Sequence, residues 1–199
     1  LIFAADAETV VQDCLAALRD HFGQKLDLYD SEEMRLGWIL EFPLFEKDEK
    51  GRPSPMHHPF TAPKPEDLDK LDTDLYAVKS NAYDLVLNGS EIGGGSIRVH
   101  DRETQQRLFD ILDIPEEAAK EKFGFLLDAL QYGAPPHGGL ALGLDRIIMM
   151  LLGKDSIRDV IAFPKTQRGT CLMTGSPSRV APEQLDELGV ELVDLEDDE

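Results

Sequence analysis

Apolar and polar positions follow several distinct rhythms along the chain. Residues 1–5 form a short apolar run that reads as a strand. Behind Asp6, the residues Val11, Cys14, Leu15, Leu18 and Phe22 recur at helical spacing, which predicts a helix over 7–22 with Asp6 as N-cap and Gly23 as stop. The same stripe predicts that Cys14 packs in a core. A polar connection leads to residues 38–45, an apolar and β-prone run. Residues 46–55 are charged and contain Gly51, Pro53 and Pro55, which predicts an exposed loop. After His57, His58 and Pro59-Phe60-Thr61 comes a second proline-rich, acidic stretch reaching Asp74.

Further on, residues 82–87 and 96–100 read as strands on either side of a glycine-rich centre. A helix is predicted over about 102–112, and another from Pro115 to just before Gly133. Glu116 and Glu117 lie in the first turn of the second, and Ala119, Phe123, Leu127 and Leu130 are spaced as a core face. Residues 138–143 read as a short strand and turn feeding a helix over 144–152. That helix is apolar on nearly every side and is therefore expected to be buried.

The length of 199 residues suits one domain, or one domain and part of another, and the hydrophobic fraction of 42% is enough for a core. No apolar run approaches the length needed to span a bilayer, and no basic segment precedes the apolar N-terminus as in a secretory signal. The abrupt start, without Met and inside an apparent strand, is expected of a fragment. Cys14 and Cys171 are the only cysteines, too few for a disulfide framework or a structural zinc site, which fits a reducing cytoplasm. The role of Cys171 is left open. The net charge of −19 argues against a generic nucleic-acid-binding surface. Part of it is local, because residues 183–199 hold nine Asp or Glu and no Lys or Arg, as in a solvated acidic tail. If RNA is handled, most phosphate contacts must come from elsewhere in a longer polypeptide.

Three constellations carry candidate chemistry. The first is residues 88–100, where Gly93, Gly94 and Gly95 interrupt strand-forming sequence between Glu91 and Arg98. Three bare positions suit either a flexible turn or a sheet floor on which a flat ligand lies close to the backbone. Glu91 suits a metal or hydroxyl group, and Arg98 a carboxylate or phosphate. The two are seven positions apart, so strict alternation would put them on opposite faces. For them to share a site, a bulge or turn must reset the register, and such a break is predicted. The second constellation is residues 138–146, a glycine-rich strand end running into a helix start, which forms an anion site from backbone N–H groups and the helix dipole. Arg146 in the first turn suits nucleotide phosphates or else a buried ion pair with Asp145 or another acid. No Gly-Lys-Ser/Thr follows, so this is not a Walker loop. The third is the loop 57–61. Adjacent histidines diverge, so one of them, His57, is the candidate for a contact with a ligand carboxylate, its alternative being an ordinary surface histidine.

Together these segments resemble the class II aminoacyl-tRNA synthetases, and within them the aspartyl enzymes of bacterial type. Residues 139–153, centred on Gly143-Leu144-Asp145-Arg146, are similar to the third class II motif, and residues 91–98 and 57–61 to segments typical of aspartyl enzymes. The resemblance continues through 132–137 and 158–166 and covers most of residues 38–180. It implies an α+β fold, an antiparallel sheet flanked by helices and present only in part. Residues 1–36 would be the end of the extra domain inserted in bacterial enzymes, and 37–199 the C-terminal part of the catalytic domain with its acidic tail 183–199. The implied activity is ATP-dependent formation of aspartyl-adenylate and transfer of the aspartyl group to the 3′ end of tRNA, in the cytoplasm, by an enzyme that is a homodimer at full length and has no membrane attachment. Residue by residue, Arg98 would bind the aspartate side chain and His57 would help hold the amino acid. Asp84 and Glu91 would bind Mg²⁺ on the ATP phosphates. Gly143, Leu144, Asp145 and Arg146 would line the ATP site, with Arg146 on the terminal phosphate.

The first and second class II motifs and an N-terminal anticodon-binding barrel are not found in this sequence, so the chain is expected to be catalytically incomplete alone. Three other readings remain: an asparagine- or lysine-activating relative, a non-catalytic binding module derived from the same fold, and an acidic nucleic-acid mimic. Arg98 argues against lysine, since two cations would face each other. An acidic mimic explains the charge and none of the motif spacing.

Overall fold

A computed structural model describes residues 2–30 and 32–192. Residues 193–199, the end of the predicted acidic tail, Ser31, and Leu1, the start of the predicted first strand, lie outside them. The chain divides into two compact units, Leu1–Leu142 and Gly143–Glu199.

In the first unit, residues 2–5 are irregular rather than a strand. Helix α1 spans Glu8–Lys25 with Ala7 as N-cap, and Asp6 only accepts from the Ala7 N–H at 2.7 Å. The helix runs through Gly23 and ends where Leu28 N–H bonds back to the Gly23 carbonyl at 3.0 Å. None of its residues is buried, and Cys14 is exposed, contrary to the core placement predicted from its stripe. An apolar stripe shows that a helix has a face to cover, and among the described residues this one is covered only in part, with Val11, Leu18 and Phe22 half-buried.

The main sheet has four strands and is antiparallel throughout. In their order across it, the strands are β1 (Leu36–Leu40), β4 (Ala82–Leu87), β5 (Ser90–Ile97) and β6 (Gly138–Leu142). Between β1 and β4 the chain makes a hairpin, β2 (Phe45–Lys47) with β3 (Pro53–Pro55), where a loop was predicted. Asp48 shapes its turn by accepting from the N–H groups of Lys50 and Arg52 and from Arg52 Nε at 2.8–2.9 Å, with Gly51 at φ +75°. Prolines are tolerated because this is a two-stranded ribbon, with few ladder bonds for them to interrupt. The acidic stretch that follows is partly ordered as 3₁₀ turns over Pro65–Asp72 and Leu75–Ala77. Asp67 is buried there, held well below the usual carboxylate range by Lys70 Nζ at 2.6 Å and by the Lys79 N–H at 2.9 Å.

Helix α2 (Arg102–Ile111) is capped by Asp101, whose carboxylate accepts from the Thr104 N–H at 2.8 Å. Helix α3 (Glu116–Gln131) begins behind Pro115, with both glutamates in its first turn. Leu44, Phe45, Leu71, Val78, Val99 and Leu108 form the core, and Phe60, Phe109 and Phe123 make a cluster with ring centroids 5.0–6.0 Å apart.

The second unit starts with helix α4 (Leu144–Leu151) behind Gly143. Expected to be buried, it has no buried residue, and Leu144, Leu151 and Leu152 are each about 60% exposed or more. Among the described residues of its unit, the short turn Ile157–Asp159 is what packs against it. Helix α5 (Pro182–Leu188) ends at Gly189 in the left-handed conformation. Cys171 is buried in this unit, its thiol lowered to about 7 by the Thr174 hydroxyl first and then by backbone N–H groups of Thr174 and Met173.

Candidate functional site

The glycine-rich segment is strand, not turn. β5 pairs through it, with Gly93, Gly94 and Gly95 opposite Leu85, Asp84 and Tyr83 on one side and Leu142, Ala141 and Leu140 on the other. The three glycines serve two different ends. A Cβ on Gly93 would come within 2.8 Å of the Ala141 carbonyl, and one on Gly95 would run into the Gly139 carbonyl, so these two let β6 approach closely. A Cβ on Gly94 would lie 2.5 Å from Asp84 Oδ1 and 3.4 Å from Glu91 Oε1. Its open side is therefore the space into which two carboxylates converge.

The predicted break in register is present. Leu85 faces Gly93 while Val86 faces Glu91, so Ile92 is an extra residue on β5, a bulge with its side chain buried. Beyond the bulge, alternation puts Gly94, Ser96 and Arg98 on one face, which is the face where the Asp84 and Glu91 carboxylates meet. One inserted residue thus brings Glu91 and Arg98 to the same side of the sheet.

Arg98 lies just past β5, its N–H donating to the His137 carbonyl at 2.9 Å. Its Nη1 donates to His58 Nδ1 at 3.0 Å. A guanidinium has no acceptor, so Nδ1 is unprotonated and a neutral His58 carries its proton on Nε2. The Phe60 N–H also donates to Nδ1, at 3.1 Å. Burial, the Arg98 charge and His57 together push the His58 pKa below its ordinary value. The structure sets the His57 ring edge-on against Phe42 at 4.9 Å, and it is the neighbouring His58 that stands beside Arg98. The divergence of adjacent side chains was legible, but which of the two faces Arg98 depends on how the 57–61 loop is tied down. A cavity of about 470 Å³ opens here, lined by His58, Phe60, Arg98, Val99, Leu126, Leu130 and His137. His137 was not singled out from sequence, although it ends the matching segment 132–137; its Nδ1–H donates to the Pro135 carbonyl at 2.9 Å.

The remaining candidates, Gly143, Leu144, Asp145 and Arg146, form the start of α4 in the second unit. Gly143 is the N-cap residue without a side-chain cap, and its carbonyl accepts from Ile147 N–H at 3.0 Å. A helix start of this kind directs backbone N–H groups and the positive dipole end outward, suited to an anion.

The family model for class II tRNA synthetases of the D, K and N group matches residues 12–167. The chain belongs to this family. Among its synthetase relatives, the aspartate–tRNA(Asp/Asn) ligase of Salinibacter ruber is 58% identical over 196 residues, covering 96% of this chain and 31% of the relative. The aspartate–tRNA ligase of Oceanobacillus iheyensis is 55% identical over 193 residues, covering 96% and 33%. This chain spans about a third of the length of the curated relatives it matches. The solved aspartyl-tRNA synthetase of Entamoeba histolytica superposes on 76% of this chain and 26% of its own with a TM-score of 0.52 at 24% identity, a likeness of fold. The sheet and helices described above are thus a partial class II synthetase domain. No helix among the described residues is long and apolar enough to cross a membrane.

Proposed function

We propose that this chain supplies about half of the site of an aspartate–tRNA ligase, which activates L-aspartate with ATP and transfers it to the 3′ end of tRNA. The carrying observation is the fork of Arg98, anchored on His58 Nδ1 and set on the same face as Asp84 and Glu91. A fixed guanidinium recognises a carboxylate through two parallel bonds. The relatives' names support the amino acid, and Arg98 disfavours lysine by charge and asparagine by geometry.

In this reading Arg98 takes the side-chain carboxylate of aspartate, with His58 holding the fork. His57, in the same loop with its ring against Phe42, helps hold the amino acid. The α-carboxylate is left to attack the α-phosphate of ATP in line, forming the adenylate and releasing pyrophosphate. A ribose hydroxyl of the tRNA end then attacks the activated carbonyl and AMP departs. Gly143, Leu144 and Asp145 line the ATP site, and Arg146 meets the terminal phosphate. Asp84 and Glu91 fit Mg²⁺: they are oxygen donors converging over a position where a Cβ would intrude. Among the described residues no cluster of three or more His, Cys, Asp or Glu forms, so an ion here would share its remaining coordination with ATP phosphates and water. Bound there, Mg²⁺ supplies neutralisation of phosphate charge. The protein groups act by positioning and electrostatic complementarity. Residues 1–36 are the end of an inserted domain in this proposal, and the complete enzyme is a cytoplasmic homodimer.

The test is exchange of pyrophosphate into ATP by the complete polypeptide, with aspartate, asparagine and lysine offered separately. Aspartate should support exchange and the others should not. The 199-residue chain alone should give none, because the second motif's arginine lies outside it. Robust exchange by the chain alone would sink the half-site reading, and preference for asparagine would move the substrate.

A further inference from the structure

Helix α2 buries Gln105, Leu108 and Phe109 along one stripe, each only 1% exposed. The last two are ordinary core residues. A glutamine at the first position must be there for its amide, since a buried polar group that makes no bond is costly and Leu or Met would fill the space more cheaply. Its Nε2 donates to the Pro59 carbonyl at 2.8 Å, 46 residues away in the chain. The amide orientation follows, because the opposite one would set two carbonyl oxygens against each other. Oε1 has no partner among the described residues, so the one bond to Pro59 is what the amide makes here.

The Pro59 carbonyl belongs to the same peptide group as the Phe60 N–H. That N–H donates to His58 Nδ1 at 3.1 Å, and His58 Nδ1 also receives Arg98 Nη1 at 3.0 Å. The plane of one peptide is thus held from its oxygen by Gln105 and delivers its hydrogen to the imidazole that holds the guanidinium. On either side, the loop is pinned by Phe60 O to Val99 N–H and by His58 O to Thr61 N–H, at 2.9 and 3.1 Å. The Phe60 ring sits in the cluster with Phe109 and Phe123. These contacts hold the loop as a body, while the 59–60 peptide itself is held from its oxygen by Gln105 and from its hydrogen by His58 Nδ1.

We propose that Gln105 is a positioning residue of the amino-acid pocket, acting through the Pro59–Phe60 peptide on His58 and so on the aim of Arg98. This rests on the reading of Arg98 as the group that receives the substrate carboxylate. Without Gln105 the peptide turns, Nδ1 loses one of its two donors, and the imidazole reorients.

The experiment uses the complete enzyme and measures aspartate and ATP dependence of pyrophosphate exchange for Gln105→Met, which keeps the shape and removes the donor. Gln105→Leu, likewise without a donor, is the substitute if the first is insoluble. The aspartate KM should rise roughly tenfold, the effect of one lost hydrogen bond, while the ATP KM changes less than about twofold. In a His58→Gln background the same change should add nothing to the aspartate KM, because a residue acting through His58 is non-additive with it. An unchanged aspartate KM in Gln105→Met, equal rises for both substrates, or full additivity with His58→Gln would each overturn the proposal. Arg98→Leu run alongside separates the two levels. If it leaves the aspartate KM unchanged, the pocket reading fails. If it raises that KM and Gln105→Met does not, only the role of Gln105 fails.

Discussion

The β4–β5 floor and helix α4 are both short and each carries two charged residues, Asp84 with Glu91 and Asp145 with Arg146, yet they end in opposite circumstances. In the floor, bare positions are filled by neighbours: β6 backbone against Gly93 and Gly95, and paired carboxylates against Gly94. Helix α4 buries nothing, and its leucines stand open. The floor is specified by elements of its own unit, bonded strand to strand. Helix α4 carries a surface that the described residues of its unit leave uncovered. Apolar pattern therefore reports what an element needs, and the partners decide whether the need is met.

The sharpest way to break the floor is through its charge. Arg98→Leu in the complete enzyme should lower kcat/KM for aspartate by about 10³- to 10⁴-fold, as when a buried polar partner goes unmatched. The ATP KM should change little, and Arg98→Lys should rescue poorly for lack of fork geometry. Comparable weakening of both substrates would make Arg98 a phosphate or structural group. Next in size is Glu91→Gln, expected to cost on the order of 10²-fold in adenylate formation with the fold intact, read as single-turnover rates against Mg²⁺ concentration. A near-normal rate at ordinary Mg²⁺ would leave Glu91 as a strand residue.

The two regions also differ in stability, and urea unfolding can measure that. Leu108→Ala, in the core, should cost about 2–5 kcal/mol. Leu151→Ala in this chain should stay within about 0.5 kcal/mol, since the residue is 59% exposed. In the complete polypeptide the Leu151 change should approach the core cost. If it stays silent there too, the expectation that α4 becomes buried is wrong.

The smallest effect concerns His58. Its folded pKa is depressed below about 6.5, so its contribution is fully present above that pH and is lost as pH falls through the folded value. Arg98→Leu removes one depressing cause and leaves burial, so the His58 pKa should rise part of the way back, as followed by NMR titration. No change would mean the guanidinium does not face this imidazole.

Local chemistry was legible where it acts locally. α2, α3 and β4 fall within a residue or so of their predicted limits, because caps, first-turn acids and periodicity act over a few positions. The bulge at Ile92 was legible because Glu91 and Arg98 cannot share a face without it. Of β5 only its end, from Ser96 on, is predicted as strand, and its glycines suit a turn as well as a sheet floor. Glycine has poor strand propensity, and the demand for it here comes from β6, about 45 residues away. The hairpin over 45–55 was hidden by its prolines, and its turn is made by Asp48, which on its own resembles any loop acid. That His58 stands beside Arg98 depends on where Phe42 and the 59–60 peptide lie, which neighbouring residues do not reveal.

The central claim is that Arg98 reads a carboxylate, and the ratio of kcat/KM for aspartate over asparagine tests it most directly. In the parent complete enzyme the ratio should be on the order of 10⁴, because an amide sets its own N–H groups against those of the guanidinium. In Arg98→Leu it should collapse to within about tenfold as aspartate loses its partner and asparagine loses its penalty. If discrimination persists near the parent value without Arg98, some other group reads the charge, and the account of this site is wrong.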